Sequence, residues 1–105
     1  MHANHSSSSA VVALRRRAAR YMKKRAPRKA AIALRQAAAL EPSGPSFVRL
    51  SRALAASGKL QCALHALRQA LYCFRHDELR GKARTVARLI LALDPNDAAA
   101  LRRAA

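Results

Sequence analysis

Ala33-Leu34-Arg35-Gln36-Ala37 recurs letter for letter as Ala66-Leu67-Arg68-Gln69-Ala70, 33 residues further along the chain. The flanks agree in type: Ala30 with Ala63, Ala31 with Leu64, Ala38 with Leu71. Self-similarity at one period of about 33–34 residues marks stacked helix pairs. One such pair cannot bury its own apolar face, whereas a stack of pairs buries a continuous core.

Working outward from the first copy, Pro27 opens a helix that runs to about Leu40, with Ala30, Ala31, Leu34, Ala37 and Ala38 on one face. Glu41-Pro42-Ser43-Gly44-Pro45 stops it. Before Pro27, Val11 to Arg25 reads as a helix with Leu14, Ala18, Tyr21 and Met22 at helical spacing. Met1 to Ser9 is polar and aperiodic. It reads as a disordered tail over 1–9, ending in a cap at Ser8 or Ser9.

After the stop, a third helix spans about Ser46 to Ala56 and ends at Ser57-Gly58-Lys59. The fourth starts near Leu60 and ends between Arg75 and Leu79. The fifth covers about Lys82 to Leu93, with Ala83, Val86, Leu89, Ile90 and Leu93 inward. Asp94-Pro95-Asn96-Asp97 stops it and caps a short sixth helix, Ala98 to Ala104. The expected fold is all-α, a right-handed solenoid of about three helix pairs over 10–105, with units at about 11–44, 45–75 and 76–105.

Apolar residues make up 51% of the 105 residues, but aromatics only 4%, so the core must be thin and closely packed. Ala and Leu in that role suit helix against helix. The formal net charge is +16, from 21 Lys and Arg against 5 Asp and Glu. No acid precedes Glu41. Such a chain seeks polyanions: an acidic protein, nucleic acid or an anionic surface. No apolar run is long enough to span a membrane. Cys62 and Cys73 fit no metal or redox spacing and read as buried reduced thiols of a cytoplasmic protein. The first 25 residues, with Ser and Arg and without acids, also have the composition of a targeting segment.

These features resemble the tetratricopeptide repeat, a 34-residue helix-turn-helix unit. In the second unit Phe47, Leu50, Ser51, Leu54, Gly58, Leu60, Ala63, Leu67 and Ala70 stand at the family's places in register. The first unit matches at Leu14, Ala18, Tyr21, Ala30, Leu34, Ala37 and Pro42, but carries Arg25 at the glycine place and Arg17 at the early leucine place. The third is degenerate: Ala83, Ile90 and Pro95 match, and its first helix is merged with the fourth helix.

The resemblance implies a non-enzymatic interaction module that binds an extended peptide on its concave face. Carried over residue by residue, the groove places are Arg15, Ala19, Met22 and Lys23, then Val48, Arg52, Ala55 and Ala56. Arg68, Tyr72 and Arg75 join them if the fourth helix also opens the third unit. That basic lining suits an acidic protein or peptide, through paired guanidinium–carboxylate contacts. The family's carboxylate clamp also uses asparagines in the groove; here Asn4 and Asn96 lie elsewhere.

The alternative is non-specific nucleic-acid binding by Arg15-Arg16-Arg17, Arg20, Lys23-Lys24-Arg25 and Arg28-Lys29. Spread around a helix, these form a general polyanion magnet, and only Tyr21 is near to stack on a base. The blander alternative is that these basic residues are simply solvated. An interfacial membrane helix would need a broader apolar face than Val11–Arg25 offers.

No catalytic set is expected. Asp77 and Glu78 are adjacent and so do not share a helix face. Cys62 with His65, and Cys73 with His76, lack an orienting third group. No phosphate loop occurs, and neither a metal nor a cofactor is expected; His2 and His5 alone are too few ligands. Thin caps leave weak self-association through an exposed end as a further expectation.

Overall fold

The computed structural model describes residues 2–105, with side chains from Ser9 onward. It is all-α: α1 His2–Lys23, α2 Pro27–Leu40, α3 Gly44–Ala56, α4 Leu60–His76, α5 Arg80–Leu93 and α6 Ala98–Ala104. Five of the six differ from the sequence reading by two residues or fewer at each end. The largest difference is at the start. α1 begins at His2, so the expected cap at Ser8 or Ser9 is passed through, and His2–Ser9, read as tail, continue the helix. Serine costs a running helix only a few tenths of a kcal/mol per residue, roughly, relative to alanine. Met1 and the side chains of His2 and His5 lie outside the described residues.

Three turns share one geometry. Arg25, Gly58 and Glu78 have φ of 57°, 78° and 59°. The residue after each donates its N–H five residues back: Ala26 to Tyr21 (2.8 Å), Lys59 to Leu54 (2.9 Å) and Leu79 to Phe74 (2.8 Å). This left-handed closure favours glycine, and Gly58 meets it without strain. Arg25 therefore adopts the conformation of the glycine whose place it fills.

The other two connections, after α2 and α5, are also alike. Glu41 (φ −137°, ψ 81°) and Asp94 (φ −141°, ψ 88°) end their helices in the same extended conformation, each followed by a proline. Ser43 then caps α3 by accepting from the Ser46 N–H, and Asp97 caps α6 by accepting from the Ala100 N–H.

α4 belongs to two units at once. The α4–α5 turn matches the α1–α2 turn, and Arg25, Ala30, Glu41 and Pro42 each have a counterpart 53 residues on, in Glu78, Ala83, Asp94 and Pro95. Ion pairs follow the same shift. Arg15 Nη2 reaches Glu41 Oε1 at 3.1 Å, and Arg68 Nη2 reaches Asp94 Oδ2 at 3.2 Å. Each arginine thus ties a first helix to the loop beyond its partner helix.

Two core clusters meet across α4. Ala63 and Ala66 close one, with Ala30, Ala33, Leu34, Leu50 and Leu54. Leu64, Leu67, Ala70, Leu71 and Phe74 form the other with Val86, Ala87 and Ile90. Ala30, Ala70 and Ala87 are fully buried, and a larger side chain there would force the helices apart. The molecule measures 38 × 35 × 16 Å. Its depth is that of two helix layers about 10 Å apart. Shared grooves assign the layers: α1, α3 and α5 to one side, α2, α4 and α6 to the other.

Candidate functional site

Consecutive helices alternate between layers, so a helix used twice changes the side on which the next unit opens. The expected groove residues therefore do not form one groove. Arg15, Met22 and Arg52 line a depression of about 200 Å³ between α1 and α3, with Ala19 and Arg49. Val48, Arg49 and Arg52 also line the adjoining groove of about 340 Å³ between α3 and α5, opposite Lys82, Thr85 and Leu89. Lys23 is exposed at the end of α1 and lines neither depression.

Tyr72 and Arg75 lie on the opposite side, between α4 and α6. Arg68 lines none of these depressions. It is occupied, donating from Nε to Asp97 Oδ2 at 3.0 Å and from Nη2 to Asp94 Oδ2 at 3.2 Å. The expectation that Arg68, Tyr72 and Arg75 extend the first groove is thus corrected by the alternation of layers.

The α1–α3–α5 side is crowded with positive charge. Arg15 is held by Glu41 and donates to Ser46 Oγ at 2.9 Å. Arg49, which the sequence reading left out, stands between Arg15 and Arg52. Partial burial lowers the pKa of its guanidinium, and the charges of Arg15 and Arg52 lower it further, against a smaller opposite effect of Glu41. Exposed Met22 and Leu89 and half-buried Val48 supply apolar ground beneath these charges.

The basic run remains on the surface. Arg16, Arg17, Arg20, Lys24, Arg25, Arg28 and Lys29 are all exposed. Lys29 Nζ stands 5.9 Å from the centroid of Tyr21, which packs against the core and is not free to stack on a base.

The cysteines correct the expectation of buried thiols: Cys62 is exposed and Cys73 half-buried. Burial, then the charge of Asp77, raises the Cys73 pKa, which keeps that thiol protonated at neutral pH and a poor nucleophile. Among the described residues, no cluster of three His, Cys, Asp or Glu side chains could hold a metal, and no helix is long and apolar enough to cross a membrane.

Asp97 is held by the Ala100 N–H at 2.9 Å and by Arg68 Nε at 3.0 Å. The Ala100 N–H holds its carboxyl below the usual carboxylate range, helped by Arg68 and opposed by desolvation. A depressed carboxyl pKa gives stability that is present above the unfolded value and lost as pH falls through the folded one. We expect Asp97→Ala to cost about 1 kcal/mol at neutral pH, as for the loss of a helix cap. Asp97→Asn should keep most of the cap and flatten the acid limb of stability. Urea midpoints measured across the acid range check both; an unchanged acid limb in Asp97→Asn would count against the assignment.

Fold and surface together define a small all-α, repeat-like protein with basic grooves on both sides of a thin slab. No protein-family model and no curated protein matches the chain.

Proposed function

We propose that this chain is a tetratricopeptide-like, non-enzymatic adaptor that binds an acidic peptide or protein segment along the α1–α3–α5 side. The observation that carries the reading is the Arg15–Arg49–Arg52 cluster. Three guanidinium groups line one depression there, and Glu41 is paired with Arg15 and acts on Arg49. A carboxylate-bearing ligand relieves that repulsion, and arginine holds carboxylates in paired, directional contacts. Met22, Val48 and Leu89 offer small apolar contacts between the charges. The exposed free thiol of Cys62 suits a reducing compartment and so a cytoplasmic location.

The test uses a labelled ten-residue peptide of alternating Glu and Leu, read by fluorescence anisotropy. Arg49→Glu with Arg52→Glu should weaken binding by well over tenfold while helicity stays unchanged, because both side chains are exposed. Equal binding by this variant would overturn the groove assignment. The rival reading is non-specific nucleic-acid binding by the acid-free run from Arg15 to Lys29, whose basic residues from Arg16 onward are exposed while Arg15 is half-buried and paired with Glu41. If replacing its exposed basic residues from Arg16 to Lys29 with Gln, Arg15 being kept, abolishes peptide binding and the Arg49/Arg52 variant does not, the run carries the function.

A further inference from the structure

The groove between α4 and α6 plays no part in the reading above. Its volume is about 630 Å³. Arg75 ends α4, Arg80 and Arg84 sit in the first turns of α5, and Arg102 and Arg103 end α6; all five line this one hollow. Glu78 is the single acidic side chain among the lining residues. All five arginines are exposed, and none joins an ion pair among the described residues. Helix ends far apart in sequence thus place five unpaired guanidinium groups around one concavity. Like charges gathered this way repel, and a polyanion relieves the repulsion.

A second feature narrows the ligand. Tyr72 is 68% exposed, the most exposed large hydrophobic side chain of the described residues. Its ring lies 6.2 Å from that of His76, with the planes inclined at 31°. Both rings are on the wall of the same groove. The carboxylates of an acidic peptide would satisfy the arginines but bring no ring of their own to the open tyrosine face. A duplex keeps its base faces inside its own stack. A single strand offers both phosphates and free base faces.

We propose that the α4–α6 groove binds a short single-stranded nucleic acid, with the arginines on its phosphates and a base stacked on Tyr72. This site is independent of the α1–α3–α5 side and differs from the Arg15–Lys29 run, whose tyrosine is taken by the core.

The probe is a fluorescein-labelled ten-nucleotide oligo(dT), with oligo(U) of equal length beside it, titrated into the full chain at several salt concentrations. Arg84→Gln with Arg102→Gln should weaken binding roughly tenfold and flatten the logarithmic salt slope by about 1.4, the share of two phosphate contacts on a single strand. Lys59→Gln with Arg88→Gln removes the same charge from exposed positions outside this groove and should change affinity far less. Tyr72→Ala should cost a further factor of about ten, and Tyr72→Phe should restore binding. The Arg49/Arg52 variant should bind the oligonucleotides normally, which separates this site from the peptide groove. The proposal is overturned if the two charge pairs weaken binding equally, if Tyr72→Ala binds like the parent, or if a ten-base-pair duplex or an oligoglutamate displaces the probe as well as unlabelled oligo(dT) does.

Discussion

Gly44→Ala is expected to destabilise this protein by about 1–3 kcal/mol, a large share of the 5–15 kcal/mol that holds a typical domain together. A Cβ at this position would overlap the ring of Phe74. Gly44 is buried at the start of α3 and Phe74, 5% exposed, lies near the end of α4, so the two antiparallel helices meet there without a spacer. The ring packs in the Leu71 and Val86 cluster with one side on the α3–α5 groove, so making room for a Cβ costs packing contacts. Alanine's advantage over glycine inside a helix is about 1 kcal/mol and smaller at a helix start, so it does not offset the overlap. The effect should shrink when Phe74→Leu is present, because the two sites share one contact. Urea unfolding of the four proteins in that cycle measures both quantities. A Gly44→Ala midpoint equal to the parent's would mean that the helices adjust freely at this crossing.

Ile90→Ala should cost about 2–4 kcal/mol and should loosen α6 first. Ile90 is fully buried and is one of the two largest fully enclosed side chains. It shares a cluster with Ala100, which is itself fully buried and anchors α6. α6 has seven residues, too few to persist without packing. Amide exchange should therefore quicken in α6 before it quickens in α2 or α3. Leu93→Ala serves as the control: Leu93 is 39% exposed, so its truncation should lose much less. If exchange rose evenly over all helices, Ile90 would be supporting the whole molecule and not its last third.

Much of this architecture is legible in the sequence because its signals are local. The repeated pentapeptide places α2 and α4 in equivalent settings, Pro27 opens α2, Gly58 closes α3 and Asp97 caps α6, each by chemistry confined to a few residues. Leu89 and Leu93 show where local signals fail. Both fall on the apolar stripe of α5 by spacing, yet both are exposed, Leu89 on the wall of the open groove between α3 and α5. Val11 is the opposite case: three and seven residues before Leu14 and Ala18, it continues the stripe of α1 and is buried.

The candidate sites are less legible still. Arg49 reads as an ordinary solvated residue until α1 and α3 are set side by side. The same holds for Arg80, Arg84, Arg102 and Arg103. The α4–α5 turn brings Arg80 and Arg84 to Arg75 and Tyr72, and the fold of α6 back beside α4 adds Arg102 and Arg103. Periodicity identifies the inward face of each helix. It carries no information on which layer a helix joins, and that parity decides which arginines share a groove.

The double membership of α4 bears on valency. A ligand in the proposed peptide groove meets α1, α3 and the Lys82–Leu89 part of α5, and one in the proposed α4–α6 groove meets α4, α6 and the first turns of α5, so the two ligands share no lining residue. Joining them into one bivalent ligand requires a tether around the rim of a slab 35 Å wide and 16 Å deep. From the middle of one face to the middle of the other, that path is roughly 50 Å, or about 15 extended residues. Shorter tethers gain no avidity, whereas longer ones gain it and then lose it slowly with length. With both proposed sites occupied, the chain would couple separate ligands and not clamp around one.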